Sequence, residues 1–231
     1  MKSITLIATK TVDHINNLDK AVKLVRSGGP ALYCKEALNA LGCKVCLLTP
    51  KNPVTVHIII KDQHEKIRIK RVGKIMLPKR LFSRNILLSP ILGEFNLEQL
   101  SERDCCIFLD AQGYIRVKGE NLVHFWDCCP KDLKNVVALK VNQRESKYVP
   151  KKVIKLFQSR ILLITHGQKG VEIWHHGRQD FVKSNPIEAK DTLGAGDTFF
   201  GSFVALFIQS NNALLATEIA VRKAEELLQR K

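Results

Sequence analysis

The feature that most constrains the fold is a repeated pattern of short apolar runs, which each end in a polar residue and are separated by helix-length segments. Buried strands that alternate with helices in this way are typical of a parallel sheet covered by helices. A ligand of such a sheet binds beyond the carboxyl ends of the strands, so the polar residues should face one crevice. The three clearest runs are 106–109 before Asp110, 136–141 before Asn142 and 161–164 before Thr165.

The composition agrees with a globular chain that has a substantial core. Of the 231 residues, 45% are hydrophobic and 26% are charged, which excludes a disordered chain, a collagen-like repeat and a small disulfide scaffold. No apolar stretch approaches the roughly 18 residues that span a bilayer, and the start of the chain lacks the pattern of a signal peptide. We therefore expect a single domain over 1–231, located in the cytoplasm and without a membrane partner.

The net charge of +15 comes from 37 basic and 22 acidic residues. A positive field of this size attracts polyanions such as nucleic acids or phosphorylated metabolites. Nine basic and two acidic residues lie between Lys61 and Arg84 inclusive, so part of the charge is concentrated there. A well-solvated basic surface explains the same excess, and the pattern alone favours that simpler interpretation.

The seven cysteines allow two interpretations. Reduced thiols in the core are usual for a cytoplasmic chain. A zinc site would require Cys43 and Cys46 to meet Cys128 and Cys129, but adjacent cysteines point their side chains apart. The sequence therefore favours core thiols over a metal site.

Three local patterns organise the N-terminal part of the chain. The apolar run 3–8 predicts a strand that leads into a polar stretch with Asp13, whose carboxylate could bind hydroxyl groups or cap the next helix. The Gly28-Gly29-Pro30 sequence predicts the start of a helix over 31–41. The runs 54–60 and 67–72 flank the polar turn 61–65 and predict a β-hairpin with one apolar and one basic face.

Residues 190–201, with the sequence KDTLGAGDTFFG, carry the most chemical information. Gly194 and Gly196 permit a tight turn, and the apolar spacing that follows predicts a helix over 197–208. Free amides at the start of such a helix form an anion site, beside which Asp197 stands as a base or as a simple cap. An anion site next to a carboxylate suits phosphoryl transfer, because the amides stabilise the moving group while the carboxylate accepts the hydroxyl proton.

The run 191–199 resembles the C-terminal signature of the ribokinase-like (PfkB) family of carbohydrate kinases. Other segments agree with the family in the same order. They are Gly28-Gly29-Pro30-Ala31 followed by Ala40-Leu41-Gly42, the N-x-x-E motif from Asn142 to Glu145, and the T-x-G-x-x-G motif from Thr165 to Gly170. Residues 89–94 and 110–116 resemble a subgroup of archaeal and plant inositol-kinase-like members, so the resemblance covers nearly the whole chain.

The resemblance implies a fold and a reaction. The fold is a ribokinase-like three-layer α/β/α sandwich with a mostly parallel central sheet and a small β lid over 54–72. The reaction is phosphorylation of a sugar, sugar alcohol or nucleoside with ATP and Mg²⁺, with a monovalent cation as a further option. The family's lid often pairs between subunits, which implies a homodimer through the hairpin. The resemblance implies no nucleic-acid partner.

Residue roles follow from the same resemblance by position. Asp197 is implied as the catalytic base, and the anion hole is implied for Gly194, Ala195 and Gly196. The residues implied to organise Mg²⁺ through its waters are Asn142 and Glu145. The resemblance also implies that Thr165, Gly167 and Gly170, together with Asn142 and Glu145, border the nucleotide. Those implied to hold acceptor hydroxyls are Asp13, Gly28 and Gly29.

The chain departs from the family pattern in two places. Many members have an asparagine shortly after the double glycine that helps to bind the sugar, whereas residues 32–34 here are Leu-Tyr-Cys. We therefore expect an altered acceptor pocket. The 34 residues from 198 to 231 are few for the family, so we expect a shortened wall around the adenine.

Two functions from different classes are thus open. The leading one is a Mg²⁺-dependent small-molecule kinase. The alternative is a non-catalytic relative whose basic face binds nucleic acid or another polyanion, which predicts salt-sensitive binding. No nucleic-acid-binding motif supports the alternative, and a decayed enzyme should lose its base and its glycine turn first. The sequence therefore favours the kinase.

Overall fold

The computed structural model describes residues 1–19, 21–61, 64–69, 72–117, 119–120, 123–187 and 191–230. In chain order the strands are β1 (Ser3–Ala8), β2 (Thr11–Asn17), β3 (Val22–Gly28), β4 (Lys44–Leu48), β5 (Val54–Lys61), β6 (His64–Ile69), β7 (Asn85–Ser89), β8 (Cys106–Asp110), β9 (Gly119–Glu120), β10 (Val136–Asn142), β11 (Ile161–Thr165), β12 (Gly170–His175) and β13 (Arg178–Lys183). The helices are α1 (Pro30–Ala40), α2 (Gln112–Ile115), α3 (Lys151–Ser159), α4 (Ala195–Ser210) and α5 (Ala213–Gln229). Short 3₁₀ turns lie at Leu97–Leu100, Pro130–Leu133, Glu145–Tyr148 and Gly167–Lys169.

The central sheet has the strand order β13-β12-β11-β10-β8-β7-β1-β4. The six strands from β11 to β4 run parallel, and β12 and β13 add an antiparallel edge. The registers place Asp110 beside Lys140 and Asn142 beside Thr165. The polar residues after the apolar runs therefore do meet at one edge of the sheet, as the sequence predicts.

Helices cover both faces of this sheet. On β1 and β7, Leu6 and Leu87 face the core that contains α1, α4 and α5, whereas Ile7 and Leu88 face the core that contains α3. Both faces of each strand are thus buried, which is why the strands read as unbroken apolar runs rather than as alternating ones. Among the described helices, none is long and apolar enough to cross a membrane.

A second, small sheet has the order β3-β2-β5-β6-β9. The predicted hairpin is confirmed, since β5 and β6 pair antiparallel, although the expected turn residues Asp62 and Gln63 and the basic residues Lys70 and Arg71 lie outside the described residues. The inner face of the small sheet is apolar, and its buried members are Ile15, Val54, Val56, Ile58 and Ile69.

The structure corrects the expectation for the segment after the first strand. Residues Thr11–Asn17 are not a polar loop or the start of a helix but β2, which pairs with β3 and β5. Thr11, Asp13 and Ile15 alternate on the buried face of this strand. The polar side chains of the strand hide its period-2 pattern from a hydrophobicity analysis. Asp13 therefore reaches the interior from a strand, and it caps no helix.

Candidate active site

The glycine turn before α4 forms the centre of the site. Gly194 has φ +84°, a left-handed conformation that suits glycine, and α4 begins at the next residue. The Ala195 amide donates a hydrogen bond to the Thr192 carbonyl at 3.2 Å, which closes the turn. The predicted helix is thus confirmed, although its described length, Ala195–Ser210, exceeds the expected 197–208. Amides in the first turn of a helix lack intrahelical acceptors and attract anions.

Asp197 lies in the first turn of α4, and its carboxylate is surrounded by charged groups. Burial raises its pKa to about 6, while Lys140 and Arg116 oppose that rise and Asp110 and Glu145 add to it. A carboxylate with a pKa near 6 is ionised at neutral pH and is still basic enough to accept a proton from a hydroxyl group. Burial and the neighbouring charges thus give Asp197 a pKa that a general base at neutral pH requires.

Asn142 and Glu145 form a closed pair at the end of β10. The Glu145 amide donates to Asn142 Oδ1 at 2.8 Å, and the Asn142 amide donates to Glu145 Oε2 at 3.2 Å. Arg116 Nη2 lies 3.3 Å from the other carboxylate oxygen of the buried Glu145. These bonds fix both side chains at the crevice, on the same edge as Asp110 and Thr165.

The oxygen donors of Asn142 and Glu145 fit Mg²⁺, which prefers carboxylate and amide oxygens and keeps several waters. Within the described part of the chain, no group of three or more His, Cys, Asp or Glu side chains is placed to hold a metal ion. A Mg²⁺ ion at this site would therefore depend on water and on phosphate oxygens for its remaining ligands. Cys43, Cys46, Cys128 and Cys129 form no such group among the described residues either, and all seven cysteines are free.

A cavity of about 340 Å³ opens on one side of the glycine turn. Its polar end is formed by residues that the sequence analysis singled out, namely Asn142, Thr165, Gly167, Gly170, Ala195 and Gly196. Its other end has the apolar side chains of Ile187, Val221, Ala224 and Leu228, with the polar residues Ser184, Asn185 and Glu225 beside them. A cavity with a polar end and an apolar end suits a ligand that carries both phosphates and a flat apolar group.

Glu225 connects two segments of the wall of this cavity through hydrogen bonds, and no motif in the sequence predicts this role. The side chain accepts hydrogen bonds from the Asn185 amide at 2.6 Å, from Asn185 Nδ2 at 3.0 Å and from the Ser184 hydroxyl at 3.0 Å. Burial alone would raise the pKa of Glu225, but these donors outweigh it and lower the pKa. The contact ties residues 184–185 to α5. The helix α5 thus forms part of the wall of this cavity.

A second, smaller cavity of about 90 Å³ lies on the other side of the glycine turn. Its polar groups include Thr11, Asp13, Gln112, Arg116 and Asp197. Its apolar walls come from the small sheet and two loops, and they are formed by Val56, Ile58, Ile67, Ile69, Ile91 and Leu193. Gly29 and Tyr33 complete the lining. This combination suits a small ligand with several hydroxyl groups and an apolar face.

The double glycine makes room for Asp13. A Cβ atom on Gly28 would overlap the Asp13 carboxylate, and one on Gly29 would come within 2.7 Å of the Thr9 carbonyl oxygen. The Thr11 hydroxyl donates to Asp13 Oδ1 at 2.6 Å, and burial raises the pKa of Asp13 against this bond. Asp13, Gly28 and Gly29 are therefore brought together, and Gly29 and Asp13 line the small cavity.

Two ion pairs at the site were missed by the sequence analysis. Lys140 Nζ lies 2.8 Å from Asp110 Oδ2, and both side chains are almost completely buried. Arg26 of β3 lies 2.6 Å from Asp191, directly before the glycine turn. The one sequence signal for Lys140 is that it is the single charged residue in the otherwise apolar run 136–141 of β10, because a lysine inside a covered sheet needs a buried partner.

Sequence comparisons agree with the motifs. Residues 132–231 match the model of the pfkB family carbohydrate kinases. A fructokinase from Klebsiella pneumoniae is 29% identical over a 108-residue alignment that covers 41% of this chain and 35% of the fructokinase. The matched stretch thus spans about a third of that relative's length.

Solved structures resemble the whole chain. A pyrophosphate-dependent kinase of the ribokinase family, in complex with a pyrophosphate analogue and myo-inositol, has a TM-score of 0.80 at 18% identity and covers 98% of this chain and 95% of its own. A nucleoside kinase from Methanocaldococcus jannaschii has a TM-score of 0.78 at 15% identity, with 99% and 92% covered. The expected fold is confirmed as ribokinase-like.

Proposed function

We propose that this protein transfers a phosphoryl group to a hydroxyl group of a small polyol, since residues 132–231 match the model of the pfkB family carbohydrate kinases and the whole chain has the ribokinase-like fold. One observation carries the proposal: the glycine turn separates the two cavities. Gly194 and Asp197 line the small cavity, whereas Ala195 and Gly196 line the large one. A donor in one cavity and an acceptor in the other would meet at the anion site.

In the proposed reaction Asp197 accepts the proton of the acceptor hydroxyl. The hydroxyl oxygen forms a bond to the terminal phosphorus of the donor, the bridging P–O bond breaks, and its electron pair leaves with the departing phosphate. The Gly196 amide at the helix N-terminus stabilises the negative charge on the transferred group. The Ala195 amide is engaged by the Thr192 carbonyl at 3.2 Å, so Ala195 shapes the anion hole without donating to it. When bound, Mg²⁺ at Asn142 and Glu145 would neutralise charge on the donor phosphates.

We assign the large cavity to the donor and favour ATP over inorganic pyrophosphate. Pyrophosphate is the donor named for one structural neighbour, but it has no apolar part to contact Ile187, Val221 and Leu228. An adenine would cover these side chains. Thr165, Gly167 and Gly170 lie at the polar end, where the donor phosphates would be held.

We assign the small cavity to the acceptor, with Asp13 binding its hydroxyl groups. A volume of about 90 Å³ is well below the roughly 300 Å³ at which pockets for drug-sized ligands begin. The volume favours a sugar or sugar alcohol over a nucleoside. The small sheet lies over this cavity, with Val56, Ile58 and Ile69 on the inner face, and we propose that it acts as the lid that keeps water from the donor.

A two-way screen tests the proposed function. The purified chain is incubated with Mg²⁺, with ATP or pyrophosphate, and with ribose, fructose, myo-inositol or adenosine, and the phosphorylated product is measured by mass spectrometry. We expect a phosphorylated sugar or polyol with ATP, and little or no product with adenosine. Salt-sensitive RNA binding in a protein that phosphorylates none of these acceptors would favour the polyanion-binding alternative instead.

A further inference from the structure

The ion pair between Lys140 and Asp110 is unusual in its burial. The Lys140 side chain is 7% exposed and that of Asp110 is 0% exposed, at a distance of 2.8 Å. The two residues face each other on the neighbouring parallel strands β10 and β8. The desolvation penalty of two buried charges commonly exceeds the free energy of their mutual attraction. A buried ion pair is therefore weak evidence for a role in stability. A pair of apolar side chains would fill this space at lower cost.

The position of the pair points to the reaction site. Lys140 Nζ lies 3.6 Å from the place that a Cβ atom of Gly196 would take, in the middle of the glycine turn. On β10, Lys140 and Asn142 are two residues apart and so share one face of the strand. The ammonium group therefore lies directly under the turn that separates the two cavities.

The charges around Asp197 come from four elements. Lys140 of β10 and Arg116 after α2 are the positive groups, and Asp110 of β8 and Glu145 after β10 are the negative ones. Arg116 Nη2 forms an ion pair with Glu145 Oε1 at 3.3 Å. Lys140 is engaged by Asp110 through one hydrogen bond, while an ammonium group has three hydrogens to donate. Asp110 thus occupies one hydrogen of an ammonium group that lies 3.6 Å from the Cβ position of Gly196.

We propose that Lys140 is a positioning residue of the phosphoryl-transfer site, whose ammonium group is clamped by Asp110 beneath Gly196 and supplies a fixed positive charge to the anion hole. The inference rests on the proposed function of this site. The charge acts in two ways. It attracts the phosphate that the turn amides bind, and it keeps the neighbouring Asp197 carboxylate ionised and ready to accept a proton. Because the charge is held in place before the reaction, it need not reorganise as negative charge builds.

The first test measures anion binding and does not require an acceptor. Binding of inorganic pyrophosphate with Mg²⁺ is measured by calorimetry for the wild type, for Lys140→Met and for Lys134→Met. Lys134 is an exposed lysine in an ion pair with Glu102 and provides the matched control. We expect Lys140→Met to weaken binding at least tenfold and Lys134→Met to leave it unchanged. Equal affinity in all three proteins would overturn the inference.

The second test separates the charge from a structural role. With the best acceptor of the screen, we expect Lys140→Met to lower kcat about a hundredfold or more, the range seen when one charge-stabilising group is removed, with a small change in acceptor KM. We also expect the acidic limb of its kcat/KM profile to move to higher pH. A residue that only packs the core would lower activity without moving that limb, and such a result would overturn the inference.

A double variant guards against misfolding. Asp110→Asn combined with Lys140→Met removes both charges of the pair, so neither partner is left as a buried charge that has lost its counterion. We expect this protein to fold and to remain slow, because the positive charge under the turn is missing. Recovery of wild-type kcat in the double variant would contradict the inference. If the wild type neither binds pyrophosphate nor phosphorylates any acceptor, the proposed function is wrong. If the wild type is active and Lys140→Met is equally active, only the role proposed for Lys140 is wrong.

Discussion

The ring of Tyr33 lies directly against the backbone of Gly194. A Cβ atom on Gly194 would come within 2.5 Å of the ring carbons Cδ2, Cε2 and Cζ. Tyr33 also lines the small cavity together with Asp197. The aromatic ring therefore limits the small cavity and supports the glycine turn at the same time.

Gly194→Ala should lower both stability and activity because the methyl group collides with the Tyr33 ring. Gly42→Ala is the matched control, since Gly42 also has positive φ, +75°, but its Cβ would meet nothing within 4 Å. The strained backbone costs each variant about 1–2 kcal/mol. We expect Gly194→Ala to lose clearly more unfolding free energy in urea titrations, and to lose most of its kcat. Equal losses in the two variants would show that the ring contact has no effect.

Tyr33→Ala should widen the range of acceptors. Removing the ring enlarges the cavity beside Asp13 and Asp197, and a change of only one methylene in a pocket already shifts selectivity by about 10–200-fold. We expect the ratio of kcat/KM for a nucleoside over a small polyol to rise at least tenfold. Tyr33→Phe keeps the ring and should keep the wild-type ratio. An unchanged ratio in Tyr33→Ala would remove Tyr33 from the acceptor site.

The pH dependence should report Asp197. Its pKa is raised by burial to about 6, and only the ionised form can accept a proton. We expect kcat/KM to be constant above about pH 7 and to fall tenfold for each pH unit well below 6. Steady-state rates between pH 5 and pH 8.5 give this limb. A limb near pH 4, the value of an unperturbed aspartate, would mean that the carboxylate is not held in this buried cluster.

Glu225→Gln should weaken donor binding and leave the chemical step intact. The substitution replaces a carboxylate that accepts three hydrogen bonds from Ser184 and Asn185 at the edge of the large cavity. We expect KM for ATP to rise several-fold with kcat within a factor of two. Glu226→Gln, whose carboxylate pairs with Lys223 on the same helix, is the control. Equal ATP KM values for the two variants would mean that this wall does not contact the donor.

The sequence predicts the parts of the site that depend on short-range pattern. The apolar runs identify the parallel sheet because its strands are buried on both faces, and the turn at Gly194 and Gly196 identifies the start of α4 because glycine and helix periodicity adjoin there. The strand that carries Asp13 escapes prediction because polar residues interrupt its alternation. Its buried face becomes apparent only when β5 pairs beside it.

Long-range contacts could not be predicted from the motifs. Lys140 and Asp110 are 30 residues apart and meet because β8 and β10 are neighbours in the sheet. Tyr33 and Gly194 meet because α1 packs against α4. Glu225 reaches Asn185 across 40 residues. Each of these contacts depends on the strand order and the helix packing, and local sequence patterns predict neither of them.

The proposed role of Asp197 as the general base is tested most directly by the kcat of Asp197→Asn for acceptor-dependent release of ADP. Asp104→Asn, a change of the same kind at a side chain that is 79% exposed, is the control. Burial opposes ionisation of Asp197, so its raised pKa lowers the stability of the folded state as pH rises through 6. The neutral variant should therefore unfold at pH 8 no more easily than the wild type. We predict a folded Asp197→Asn with kcat reduced at least a hundredfold and an unaffected Asp104→Asn. A folded Asp197→Asn that retains the wild-type kcat would contradict the proposal that Asp197 accepts the proton of the acceptor hydroxyl.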